Sequence, residues 1–159
     1  MPPCFIIIRN PMPPTSPLIY LAQSDTTAGL LSLELQGLNR AKSRPAQQPT
    51  LIESSSLSIL KSLVRVPSRH KNRVRRASKS TFLYPNGRAV RVVKDELHKR
   101  FLSQFGALYS TSANPTGKGF EKQWAYEVSD VIVCDKRGLS ENPPSRFYHI
   151  NHRAIKRRR

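Results

Sequence analysis

Short apolar runs of four to six residues, each bounded by turn-forming or helix-forming sequence, set the strongest constraint on this chain. Leu18-Ile19-Tyr20-Leu21-Ala22, Ala107-Leu108-Tyr109-Ser110-Thr111-Ser112 and Val131-Ile132-Val133-Cys134 are too short for core helices but suit buried strands. Thr50-Leu51-Ile52-Glu53 reads as another strand. Ser80-Thr81-Phe82-Leu83-Tyr84 and Ala89-Val90-Arg91-Val92-Val93 flank Pro85-Asn86-Gly87-Arg88. Asn-Gly accommodates the positive φ of a tight hairpin, so these two runs predict an antiparallel pair. Arg146 to Ile150 and Ala154 to Lys156 predict a final hairpin.

Helical spacing lies between these runs. Ala28 to Arg40 has leucines 31, 35 and 38 on one face, with Asp25, Thr26 or Thr27 as its cap. Ser56 to Val64 reads as a short helix, as does Lys94 to Phe105 with Leu97, Phe101, Leu102 and Phe105 inward. Gly119 to Val128 is the last candidate. Strands that interleave with helices, yet also pair antiparallel, predict a single-domain α/β fold: a twisted mixed sheet with flanking helices. The 159 residues suffice for one domain, placed at 18–159 behind a proline-rich extended lead-in at 1–17.

Charge bears on partners. The formal charge is +17 and the isoelectric point about 10.8, which favours phosphate-rich polymers, RNA or DNA ahead of acidic membrane surfaces. From Ser54 to Lys94 there is no acidic residue, while Lys61, Arg65, Arg69, Lys71, Arg73, Arg75, Arg76 and Lys79 are basic. That stretch reads either as a polyanion-binding face or as a plain solvated surface. No run nears the roughly 18 apolar residues of a membrane span, so no membrane partner is expected. The five apolar residues from Cys4 to Ile8 follow no cation, unlike a signal peptide. Cys4 and Cys134 lack metal-type spacing, which excludes a disulfide scaffold and fits a reduced, cytoplasmic setting.

Several small constellations carry chemistry. Pro45 pushes Arg44 towards extended geometry, where Lys42 and Arg44 at i and i+2 converge on one anion, a triphosphate by preference. The alternative is two solvated cations. Ser110, Ser112 and Asn114 repeat this spacing at a strand end, where open α/β sheets place ligands. They equally suit a turn rich in capping groups. Ser24, Asp25 and Thr26 form a hydroxyl-rich turn, either an anion site or a helix cap. Arg91 sits among apolar neighbours, so it is either buried beside a carboxylate or on the solvent face. His149 and His152 have no nearby partners for a metal, and no zinc pattern, Gly-rich phosphate loop or Ser-His-Asp signature occurs.

In order, Ser24-Asp25-Thr26-Thr27-Ala28-Gly29-Leu30, Lys42-Ser43-Arg44-Pro45, Thr81-Phe82, Ala89-Val90-Arg91-Val92, Ser110-Thr111-Ser112-Ala113-Asn114-Pro115-Thr116-Gly117 and Pro144-Ser145 resemble the YrdC domain family. These are the threonylcarbamoyl-AMP synthases, and the resemblance runs from Leu18 to Arg159. It implies a YrdC-like fold and a nucleotidyltransferase that joins L-threonine, bicarbonate and ATP, with Mg²⁺, into threonylcarbamoyl-AMP and pyrophosphate. Partner proteins would then pass the threonylcarbamoyl group to a tRNA adenosine.

By this resemblance Lys42, Arg44, Ser112, Asn114 and Arg159 contact ATP, with Lys42 and Arg44 as the catalytic cations. Ser24, Arg91, Ser110 and Ser145 line the threonine site, and Arg91 takes the threonine carboxylate. Gln23, Ser24 and Ala28 stand where the family carries proline, threonine and tyrosine, and Ala77-Ser78-Lys79-Ser80 replaces a Pro-Gly-Pro. The other expectation is a non-catalytic YrdC-like paralogue that binds double-stranded RNA or tRNA through Arg69, Lys71, Arg73, Arg75 and Arg76.

Overall fold

A computed structural model describes the backbone of Phe5–Ile8 and all of residues 17–159. The rest of the expected lead-in lies outside the described residues. Ten strands form one mixed sheet: β1 (Phe5–Ile8), β2 (Tyr20–Gln23), β3 (Ala28–Ser32), β4 (Leu51–Ser54), β5 (Ser80–Leu83), β6 (Ala89–Val92), β7 (Ala107–Ser112), β8 (Val131–Cys134), β9 (Arg146–Ile150) and β10 (Ile155–Arg157). Their spatial order is β1-β8-β2-β3-β7-β4-β6-β5-β9-β10. Neighbours run antiparallel except β2 with β8, β4 with β6, and β5 with β9. Helices α1 (Leu35–Ala41), α2 (Leu57–Leu63), α3 (Lys71–Arg76), α4 (Glu96–Leu102) and α5 (Lys122–Val128) flank it, with a 3₁₀ turn at Ser68–His70. The expected α/β architecture is the one observed.

Strand alternation divides the sheet into two faces. On one, Leu30 and Ile132 pack with Leu38 of α1 and Ala125 of α5, while Ile52, Phe82 and Val90 pack with Leu60 of α2 and Val74 of α3. On the other, Leu31, Leu108 and Val133 pack with Phe101 and Leu102 of α4. α4 covers part of this second face. The remainder, carrying Glu53, Arg91 and Ser110, stays open as a cleft.

The expected helix over Ala28–Arg40 is corrected. Its first five residues are β3, all buried, and the helix begins only at Leu35. Leu30 and Leu31 point to opposite faces and each is fully buried, so the run fills two apolar layers at once. A helix with one leucine stripe would bury only one. The expected cap residues therefore lie in the turn between β2 and β3, and Glu34 precedes the helix without a side-chain cap bond.

The hairpin at Pro85-Asn86-Gly87 is present, joining β5 to β6. Only Gly87 takes the positive φ, at 81°. Asn86 instead accepts the Arg88 N–H through its side chain, at 3.1 Å.

Candidate functional site

The sheet places two ionisable side chains side by side at the floor of the cleft. Glu53 of β4 and Arg91 of β6 are register partners on parallel strands, so both project to the same open face. Glu53 is buried to 1% exposure and Arg91 to 2%, which makes their pairing obligatory. Arg91 Nη2 donates to Glu53 Oε1 and stands 3.3 Å from Asp25 Oδ1; its Nη1 donates to Thr26 Oγ1 at 2.9 Å. Glu53 Oε1 also accepts from Ser110 Oγ at 3.0 Å, and Oε2 pairs with His98 Nε2 of α4.

Burial alone would raise the Glu53 carboxyl, but Arg91 and His98 outweigh it and hold the group at about 2. Asp25 is pushed up by burial, against the pull of Arg91. The buried Arg91 Nε and His98 Nδ1 find no hydrogen-bond partner among the described residues.

The hydroxyls expected from sequence surround this pair. Ser24 Oγ accepts the Thr26 N–H at 3.0 Å and donates to the Thr27 carbonyl at 2.7 Å, so the β2–β3 turn folds onto its own serine. Ser145 Oγ lies 2.8 Å from Thr81 Oγ1 across the β5–β9 parallel pair. Gly29 opens the centre: a Cβ there would come within 3.3 Å of the Thr111 carbonyl and 3.6 Å of Ser110 Oγ. The cleft measures about 220 Å³, and Ser24, Arg91, Ser110, Ser112 and Ser145 line it together with Arg44 and Arg159.

Lys42 and Arg44 reach this region by a route the sequence did not suggest. The segment is not extended: α1 ends at Ala41, and Ser43 takes a left-handed φ of 52° that turns the chain. The turn sends both side chains to the end of β7. Arg44 Nη1 donates to Thr111 Oγ1 at 3.3 Å and Arg44 lines the cleft. Lys42 stands behind it, 2% exposed, with Nζ donating to the Ser112 carbonyl at 2.8 Å and to Asn114 Oδ1 at 3.3 Å. Trp124 of α5 offers its ring to the same ammonium at 5.8 Å. Burial, helped by Arg44, lowers the Lys42 amine to about 8. Lys42 and Asn114 thus brace the Ser112–Gly117 turn from outside the cleft lining.

Arg69, Lys71, Arg73, Arg75 and Arg76 do not join the cleft. They are exposed on the 3₁₀ turn and α3, whose Val74 anchors them to the opposite face of the sheet. Arg73 lies over the Tyr148 ring at 5.5 Å, and Lys94 Nζ ties the Arg75 carbonyl at 2.5 Å.

Four functional candidates escaped the sequence reading: Glu53, His98, Thr111 and Arg137. Glu53 ends an apolar strand next to another strand that carries an arginine, the one legible hint. Arg137 binds Asp95 at 2.8 Å and Asp135 at 2.5 Å and donates to the Gln23 carbonyl at 3.2 Å, which pins the loop after β8. Gln23 Oε1 accepts the Ser140 N–H, and Ala28 N–H donates to the Ser140 carbonyl. Two of the positions that depart from the family pattern therefore hold the loop leading to Ser145. A second cavity of about 740 Å³ adjoins the first, sharing Ser24, Thr26 and Pro144.

The mixed α/β sheet has the YrdC-like fold of Sua5. No family model and no curated protein sequence matches the chain. Solved structures share its fold at low identity. P. abyssi Sua5 complexed with L-threonine matches with a TM-score of 0.73 at 19% identity, over 87% of this chain and 48% of that one. MTH1692 from Methanobacterium thermoautotrophicum matches with 0.64 at 20%, over 89% and 80%. Full-length HypF in a phosphate- and nucleotide-bound form matches with 0.68 at 14%, over 89% and 22%. The chain therefore spans about half the length of Sua5. Among the described residues no helix is long and apolar enough to cross a membrane.

Proposed function

We propose that this protein forms threonylcarbamoyl-AMP from L-threonine, bicarbonate and ATP, in service of tRNA threonylcarbamoyladenosine modification. The observation that carries this reading is the convergence of Ser24, Arg44, Arg91, Ser110, Ser112, Ser145 and Arg159, spread over 136 positions of sequence, on one cleft. Its support from likeness is the fold shared with Sua5 complexed with L-threonine and with HypF bound to nucleotide.

The chemistry suits these groups. Threonine nitrogen adds to bicarbonate carbon with loss of water, giving a carbamate. A carbamate oxygen attacks the α-phosphorus of ATP and the bond to pyrophosphate breaks. Both reactants are anions, so the barrier is largely charge repulsion. Arg44 and Arg159 at the cleft offset the developing charge, and Mg²⁺ entering with ATP would supply further positive charge. Lys42 and Asn114 act through the turn they brace, which presents Ser112 to the nucleotide. Ser24, Ser110 and Ser145 supply hydroxyls for threonine, with Arg91 at the base. A cleft of about 220 Å³ holds the amino acid, and the nucleotide extends along its open rim. No covalent nucleophile is required. The purified protein should release pyrophosphate from ATP only when threonine and bicarbonate are both present; release without either, or none with both, ends this reading.

The exposed cations of the 3₁₀ turn and α3 favour a second reading, an RNA-binding YrdC-like protein without catalysis.

A further inference from the structure

A line of buried polar side chains runs from α4 to the lining of the cleft. His98 Nε2 of α4 bonds Glu53 Oε2 of β4, and Glu53 Oε1 bonds Arg91 Nη2 of β6. Arg91 Nη1 donates to Thr26 Oγ1 at 2.9 Å, which lies 3.0 Å from Ser24 Oγ. All of these side chains belong to residues at least nine-tenths buried, so water does not compete for the bonds. Ser24, Thr26, Glu53 and Arg91 line the cleft; His98 stands behind Glu53, outside the lining.

His98 is fixed at both its backbone and its ring. Asp95 Oδ1 caps α4 by accepting the His98 N–H at 2.9 Å, and Arg137 Nη1 holds the same oxygen at 2.8 Å. The His98 ring lies 6.2 Å from that of Phe101, which packs with Leu102 and Leu108. The Glu53 carboxyl, held at about 2, is ionised and can only accept, so His98 Nε2 is the donor. Without that bond Oε2 would be a bare buried charge and the carboxylate could turn. Oε1 would then lose its grip on Arg91 and on Ser110 Oγ, 3.0 Å away.

We propose that His98 is a positioning residue: by fixing Glu53 it fixes the Arg91 guanidinium for a ligand carboxylate, and so makes the cleft select an α-amino acid over its carboxylate-free analogue. This rests on reading the cleft as an amino-acid site with Arg91 at its base. Arg91 contacts Glu53, Thr26 and, at 3.3 Å, Asp25, fewer partners than the five donors of a guanidinium. A planar fork holds a carboxylate well only when the two groups are aligned. A guanidinium free to swing loses that contact, while the hydroxyls of Ser24, Ser110 and Ser145 still meet the rest of the ligand.

The test titrates L-threonine and L-threoninol, in which the carboxylate is reduced to an alcohol, against native protein, His98→Leu and His98→Gln. Leu fills the space without a donor, whereas Gln returns an amide N–H to Glu53. Native protein should prefer threonine by about tenfold or more. His98→Leu should lose most of that preference with ATP affinity unchanged, and His98→Gln should recover it. A ratio of two ligands on one sample does not depend on the folded fraction, so a merely structural role for His98 would leave it unmoved. The Arg91 Nε–H resonance of ¹⁵N-arginine protein, identified by its loss in Arg91→Lys, should shift in His98→Leu without ligand and return in His98→Gln. His98→Met stands in should the Leu variant fail to fold. An unchanged threonine preference or an unchanged Arg91 resonance in the donor-free variant overturns the proposal. Native protein that binds neither threonine nor ATP ends the functional reading and the selectivity with it, and the Arg91 resonance then still decides whether His98 positions the guanidinium.

Discussion

Two buried ionisable residues, Lys42 and Glu53, make the protein respond to pH in opposite ranges. The Lys42 amine is held at about 8 against an ordinary 10.5, so between those values the folded chain carries fewer protons than the unfolded one. Stability contributed at this position therefore rises with pH across that window. In urea titrations from pH 7.5 to 10.5, native protein should gain stability relative to Lys42→Met as pH increases; parallel curves would place the ammonium in water. Glu53 has the same sign in the acid range. Held at about 2 against 4.5, its contribution is complete above pH 4.5 and disappears as pH falls towards 2. Glu53→Ala leaves Arg91 and His98 without their buried partner and should cost about 3–5 kcal/mol, measurable by chemical denaturation at pH 7. Sequence reading found Arg91 and the hydroxyls because short polar groups in apolar strands are conspicuous. It missed Glu53 and His98, whose meaning comes from register across β4 and β6 and from α4 packing, neither of which is written locally.

Strands and their turns were more legible than the helix at the start of the domain. The β5–β6 hairpin was readable from Asn86-Gly87, and its energetics rest on Gly87 at φ 81°. Gly87→Ala should destabilise by about 1–2 kcal/mol with the cleft unaffected, seen as a lower thermal midpoint and unchanged ligand titrations. Ala28–Ser32 misled because leucines at 31, 35 and 38 satisfy helical spacing by coincidence across a strand, a turn and a helix. The deciding factor was burial on two faces, a tertiary property. The Lys42–Arg44 segment likewise reached its expected neighbourhood through a left-handed turn at Ser43, not an extended strand.

At the scale of the whole molecule, the charge of +17 is unevenly spread. The cations of α3 and the preceding turn stand on the face opposite the cleft, so RNA binding and ligand binding should be separable. Affinity for a generic RNA duplex should fall steeply with salt, and neutralising Arg73, Arg75 and Arg76 together should flatten that dependence while ligand titrations stay unchanged. An unchanged salt slope would assign α3 to a solvated surface. The α/β class was legible in the alternation of short runs. The strand order was not, because placing β7 between β3 and β4 depends on contacts far apart in sequence.

That strand order also leaves β10 at one border of the described sheet, with a row of backbone groups that another chain could pair with. Lys156 and Arg157, both exposed, occupy two of its three positions. A stranger docking there would have to bring its own backbone against two fixed positive charges. Self-association edge to edge would set those charges against their own copies. The same basic character that draws in polyanions thus guards the protein against stacking into fibres.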